Sequence, residues 1–185
     1  WPAFFVGRSQ GGSEPFLEAA RAYMRLVETY WFANETVPLV HSGIRALNLA
    51  EGAGPSPELA RAYAIMCLST GSIPQHQLAE MYRGRALEIA RAIDQPQALA
   101  YALFIPSVYG IGAGKWAQVR EALTQAVELF EQVHDRRLLG DSLTVLGMSA
   151  LYRGEFKDSE RQFAEVCAAG RRHNNTQHQV WGLIG

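Results

Sequence analysis

The chain has 185 residues, of which 48% are hydrophobic and 19% charged, and a formal net charge of −1. That composition excludes a disordered or collagen-like chain, and it offers no basic field of the kind that gathers phosphate backbones, so nucleic acid is not expected as a partner. No apolar run approaches the roughly 18–20 residues needed to cross a bilayer, and Cys67 and Cys167 do not make a disulfide framework; a soluble cytoplasmic chain with no membrane partner and two buried free thiols is expected.

From the start of the chain, Trp1 to Val6 reads as the end of an upstream helix and Arg8 to Gly12 as a loop. Ser13, ahead of Glu14 and Pro15, then opens a first unit, 14–54, that holds two phrases: Ala20-Arg21-Ala22-Tyr23 and Arg45-Ala46-Leu47-Asn48-Leu49-Ala50. Both return in 55–94 as Ala60-Arg61-Ala62-Tyr63 and Arg85-Ala86-Leu87-Glu88-Ile89-Ala90. In 95–134 they become Ala100-Tyr101-Ala102-Leu103 and Gln125-Ala126-Val127-Glu128-Leu129-Phe130. In 135–175 they fade to Gly140-Asp141-Ser142-Leu143 and Glu165-Val166-Cys167-Ala168-Ala169-Gly170, and Val180-Trp181-Gly182-Leu183 opens a partial unit, 176–185. Each return is a step of 40 residues. A fixed period of this size predicts a stacked array in which each unit buries its apolar face only against its neighbours.

Every unit reads as two helices. In the fourth, Leu138, Leu139, Leu143, Leu146, Ala150 and Leu151 recur at helical spacing, Gly154 breaks the run, and Phe156, Phe163, Val166 and Cys167 resume it. In the third, Ala98, Ala102, Phe104 and Ile105 lead to a glycine-rich break at Gly110, Gly112 and Gly114, followed by Trp116, Val119, Leu123, Ala126, Val127 and Phe130. Between units, Gly52, Gly54 and Pro55 stop one helix, while Ser56 is placed as the N-cap and Pro57 as the first residue of the next; Asp94 with Pro96 is read the same way. Alanines at 20, 22, 46, 60, 62, 86, 100, 102 and 126 mark where helix axes approach closely. The fold expected is all-α, an array of antiparallel helix pairs in about four units. Because the chain starts at Trp1 and stops within a fifth unit, it is expected to be a piece of a protein that is longer in both directions.

The small residues at the crossings, the aromatic or Leu at Tyr23, Tyr63, Leu103 and Leu143, the pair Leu146-Gly147 and the turn Arg153-Gly154-Glu155-Phe156 resemble the tetratricopeptide repeat, in a form longer than the usual unit. That resemblance implies a right-handed superhelix. More narrowly, Arg45 to Arg61 and Arg171 to Gly182 are similar to the repeat tail of bacterial class III adenylate/guanylate cyclase proteins, which also carry an AAA-type ATPase domain. The resemblance implies a noncatalytic regulatory module that binds a protein segment or other domains of the same chain. The long repeats of maltose-regulator-type transcription activators provide the alternative, a small-ligand sensor.

No catalytic residue, cofactor or metal is expected. Gly110-Ile111-Gly112-Ala113-Gly114-Lys115-Trp116 imitates a phosphate loop but has Tyr109 and Trp116 where that loop needs Gly and Ser or Thr. Cys167, His173 and His178 match no common ligand spacing, and the two histidines are read as solvated helix-end residues; His41, His76 and His134 are isolated. The sequons at Asn34 and Asn174 carry no meaning in a cytoplasmic chain.

In a tetratricopeptide-like stack the first helix of each pair lines the concave face. Helical spacing places Arg21, Met24, Glu28, Trp31, Arg61, Leu68, Tyr101, Phe104, Val108, Asp141, Thr144, Met148 and Tyr152 there as the candidate binding surface. Trp31, Tyr101 and Phe104 would suit a small stacking ligand, and the basic and Asn clamp for a peptide carboxylate is missing. Weak self-association is expected through Trp181 and Leu183 or through Trp1, Phe4 and Phe5.

Overall fold

A computed structural model describes residues 13–73 and 75–185. The expected features of Trp1 to Gly12, including self-association through Trp1, Phe4 and Phe5, lie outside the described residues. Among the described residues there are nine helices and no strand: α1 Glu14–Phe32, α2 Thr36–Ala53, α3 Pro57–Ser72, α4 His76–Ala92, α5 Pro96–Gly112, α6 Trp116–Gln132, α7 Arg136–Tyr152, α8 Phe156–Arg172 and α9 Thr176–Ile184. The described residues form an all-α helical repeat in which consecutive helices pack side by side from α1 to α4 and from α6 to α9.

The 40-residue phrase divides in two. Helices α4 to α8 are each 17 residues long, so a helix with its three-residue turn repeats every 20 residues. Left-handed residues keep this half-step: Asn34, Gly54, Asp94, Gly114, His134, Gly154 and Asn174 have φ between 52° and 89°. At Gly114 the amide bonds back to the Ile111 carbonyl and the amide of Lys115 to that of Gly110, at 3.1 and 2.9 Å. His134 and Asp135 repeat the pair on Glu131 and Phe130, and Gly154 and Glu155 on Leu151 and Ala150. This 6→1 and 5→2 pairing satisfies the carbonyls at a helix end and reverses the chain within three residues.

Several local expectations need correction. Gly110 and Gly112 belong to α5, and only Gly114 makes the turn. Gly110 serves packing instead, since a Cβ there would lie 2.6 Å from Val119 Cγ2. Asp94 ends α4 in the left-handed region and does not cap α5. Ser56 accepts the Leu59 amide at 3.2 Å as expected of an N-cap, whereas Ser13 makes no such bond. Asp135 and Asn175 cap α7 and α9 through the amides of Leu138 and His178, both at 3.1 Å, a role the hydrophobic pattern did not reveal.

The chain forms two compact units, Trp1–Pro106 and Ser107–Gly185, the division falling inside α5 beside its internal proline. In the first unit α1, α2, α3 and α4 pack in succession. Ala20, Ala46, Ala50, Ala60, Ala62, Ala86 and Ala90 are fully enclosed at the crossings, while Ala22 lies on a face of α1 that no described helix covers. Gly43 admits Met66, whose sulfur would stand 3.3 Å from an added Cβ.

In the second unit α6, α7, α8 and α9 pack in succession around Val119, Leu123, Ala126, Phe130 and Val166. Burying a side chain such as Phe130 contributes roughly 1.5–3 kcal/mol relative to leaving it in water. Gly147 makes room for the Phe163 ring, and a side chain at Gly182 would strike the backbone of Cys167, so α9 lies against α8 nearly backbone to backbone.

Candidate functional site

The two sequence phrases stay in phase because they touch. Arg45 lies over the ring of Tyr23 and, 40 residues on, Arg85 lies over the ring of Tyr63, each 5.7 Å from the centroid. Such contacts fix the second helix of a pair on the first. Around Tyr63 the contact grows into a cluster: its hydroxyl donates to Glu51 Oε1 at 2.7 Å, Arg85 Nη1 donates to the same hydroxyl at 3.4 Å, and the Tyr82 ring lies 6.0 Å away. Burial pushes the Tyr63 phenol above the usual tyrosine range, Glu51 adds to the rise and Arg85 opposes it; burial raises Tyr82 as well.

The first-phrase arginines reach further. Arg21 Nε donates to Glu58 Oε1 at 2.7 Å and Nη1 to Glu14 and Glu18, and these carboxylates, Glu58 first, raise its pKa. Arg61 lies 5.2 Å from the Tyr101 centroid. Two of the polar residues assigned to a binding surface are therefore bound up within the protein's own helices.

The remaining positions divide by burial. Met24, Leu68 and Val108 are partly covered, Glu28 is exposed, and Trp31 is 48% exposed. Tyr101 and Phe104 are buried in α5, so they offer no stacking face beside Trp31, and Thr144 is buried with its hydroxyl donating to the Gly140 carbonyl at 2.9 Å. These three belong to the core, their side chains being enclosed and not turned to solvent as the helical stripe suggests. Met148 and Tyr152 stay exposed, the latter by 61%.

The exposed apolar residues follow the repeat. Trp31-Phe32 at the end of α1 and Leu151-Tyr152 at the end of α7 occupy equivalent places in the first and fourth units, and all four are exposed. The same places in α3 and α5 hold Gly71-Ser72 and Ile111-Gly112. Phe156, which the pattern placed among packing residues, is 68% exposed one turn beyond Tyr152. Phe32 was not singled out by the sequence reading, and Leu151 and Phe156 were read as packing residues, because periodicity assigns a residue to a stripe without saying whether a neighbour covers it.

His178 departs most from expectation. It is buried rather than solvated, with Nε2 2.8 Å from Asp141 Oδ1, and Asp141 also faces Arg137 at 3.6 Å. Asp141, assigned to the concave face, therefore ties α7 to α9. His173 is exposed, its Nδ1 3.4 Å from Arg136 Nη1. Among the described residues no group of three or more His, Cys, Asp and Glu side chains is placed to hold a metal ion, and no helix is long and apolar enough to cross a membrane. The segment that imitates a phosphate loop is the end of α5 and the turn into α6, with Lys115 Nζ 5.4 Å from the Tyr109 ring centroid. No family model matches the chain, and no curated protein matches it.

Proposed function

We propose that the chain is a noncatalytic helical-repeat module that binds a protein segment, or another domain of its own parent chain, through the exposed ends of its first-position helices. The observation that carries this reading is the recurrence of exposed apolar pairs, Trp31-Phe32 and Leu151-Tyr152, at one repeat position. Large apolar side chains held in water on packed helices are the usual material of binding anchors. The wording of Arg45 to Arg61 and Arg171 to Gly182 supports a parent among bacterial signalling proteins, a nucleotide cyclase with an ATPase domain, acting in the cytoplasm. The module would then dock on the parent's catalytic parts or on a regulator, and contribute no turnover of its own.

Peptide display against the purified chain, with Leu151→Asp/Tyr152→Asp as the counter-target, tests the reading. Enrichment of sequences with apolar anchors that bind the wild type and not the variant is expected. Failure to enrich any discriminating sequence, or ATP hydrolysis or nucleotide cyclisation by the purified chain, would refute it.

A further inference from the structure

Arg21 of α1 and Arg61 of α3 hold the same place in the 40-residue phrase, yet their charges are met differently. Arg21 Nε donates to Glu58 Oε1 of the next first-position helix at 2.7 Å. For Arg61 the corresponding place in α5 is Ala98, and α5 contains no acidic residue at all. Glu58 itself, one turn before Arg61, is taken by Arg21. What Arg61 meets instead is the ring of Tyr101, 5.2 Å from the centroid, while its Nε is enclosed and has no hydrogen-bond partner. No ion pair joins it to any described residue.

The ring holds this guanidinium in place but brings no counter-charge. Drawing a cation partly out of water is costly unless a carboxylate answers it, as Glu58 answers Arg21. The enclosed Nε is beyond a ligand's reach, but the two terminal nitrogens are not enclosed, and they form the end of the fork that pairs with a carboxylate. The bond from Arg21 to Glu58 also sets the register of α1 against α3, so that Arg61 stands level with Met24. Met24 and Trp31 share one face of α1, two turns or roughly 10 Å apart along the axis. We infer that Arg61 reads a side-chain carboxylate in the protein segment this module binds, about three extended residues from the apolar side chain that seats on Trp31-Phe32. This specificity rests on the protein-binding reading given above and gives the segment its chemistry, an apolar anchor with Asp or Glu at short range. Glu28, between the two on the same face, disfavours acid at the intervening positions.

Panning a displayed peptide library on the wild-type chain and on Arg61→Met, followed by fluorescence anisotropy of the enriched peptides, tests it. The wild type is expected to enrich apolar anchors with Asp or Glu about three residues away, and Arg61→Met to enrich the anchors alone. Converting the acidic residue of a selected peptide to its amide should weaken binding to the wild type at least tenfold and leave binding to Arg61→Met unchanged. Tm is the second readout: Arg61→Met should lower it less than Arg21→Met, which strands the buried Glu58. An equal or larger fall for Arg61→Met, or wild-type enrichment of anchors without acid, would overturn the role of Arg61 and leave the protein-binding reading standing. Selected peptides with no apolar anchor would overturn both.

Discussion

His178 of α9 and Asp141 of α7 meet at 2.8 Å over Gly140, whose missing side chain leaves the space that the imidazole fills. The pair joins two helices that begin 40 residues apart, and it takes both partners out of the solvent-facing roles their positions suggest. Gly140→Ala should therefore destabilise the protein by roughly 1–3 kcal/mol, the cost of overpacking. Combined with His178→Ala, the two losses should add to clearly less than their sum, because the second change frees the space the first one needs. Urea unfolding of the two single variants and the double variant measures this, and strict additivity would contradict it.

The Tyr63 cluster gives a pH signature. Burial raises the Tyr63 phenol, so between its unfolded pKa, near 10, and its higher folded value the native state holds more protons than the unfolded one. Stability from this group is complete below about pH 10 and falls as pH rises through the folded pKa. Tyr63→Phe should flatten that alkaline fall, and at pH 7 it should cost about 0.5–1.5 kcal/mol for the lost bond to Glu51. Thermal melts from pH 7 to 11 compare the two.

The left-handed turns separate glycines from their substitutes. A residue with a Cβ in that region costs roughly 1–2 kcal/mol, so Gly154→Ala should destabilise by about that amount while His134→Gly should stabilise by about 0.5–1 kcal/mol. Chemical denaturation of both variants should give opposite signs.

Close helix approach is tested at Ala86, which is fully enclosed, against Arg91, which is exposed. Ala86→Leu should cost about 1–3 kcal/mol and lower Tm, whereas Arg91→Ala should leave Tm nearly unchanged. Equal midpoints would remove Ala86 from the crossing.

The pairing of helices was legible because packing rewards the same small residue at the same place: Ala46, Ala86 and Ala126 meet their neighbours alike. The 20-residue half-step was not, since its left-handed position is filled by Asn34, Asp94, His134 and Asn174 as well as by Gly54, Gly114 and Gly154, and only the glycines stand out to the eye. The candidate surface was half legible. Helical spacing fixed the stripe that holds Met148 and Tyr152, but coverage depends on neighbours 20 to 40 residues away, which is why Tyr101, Phe104 and Thr144 proved to be core. His178 failed for the same reason, its burial being decided by Gly140 on another helix.

The central claim is that the exposed apolar pairs are anchors for a protein ligand. Its most direct test is the affinity of a display-selected peptide for the wild type, Leu151→Asp/Tyr152→Asp and Trp31→Asp/Phe32→Asp, each checked for an unchanged Tm. A loss of at least tenfold in one of the two variants with the fold intact is the predicted result. Equal affinity for all three proteins would contradict the account.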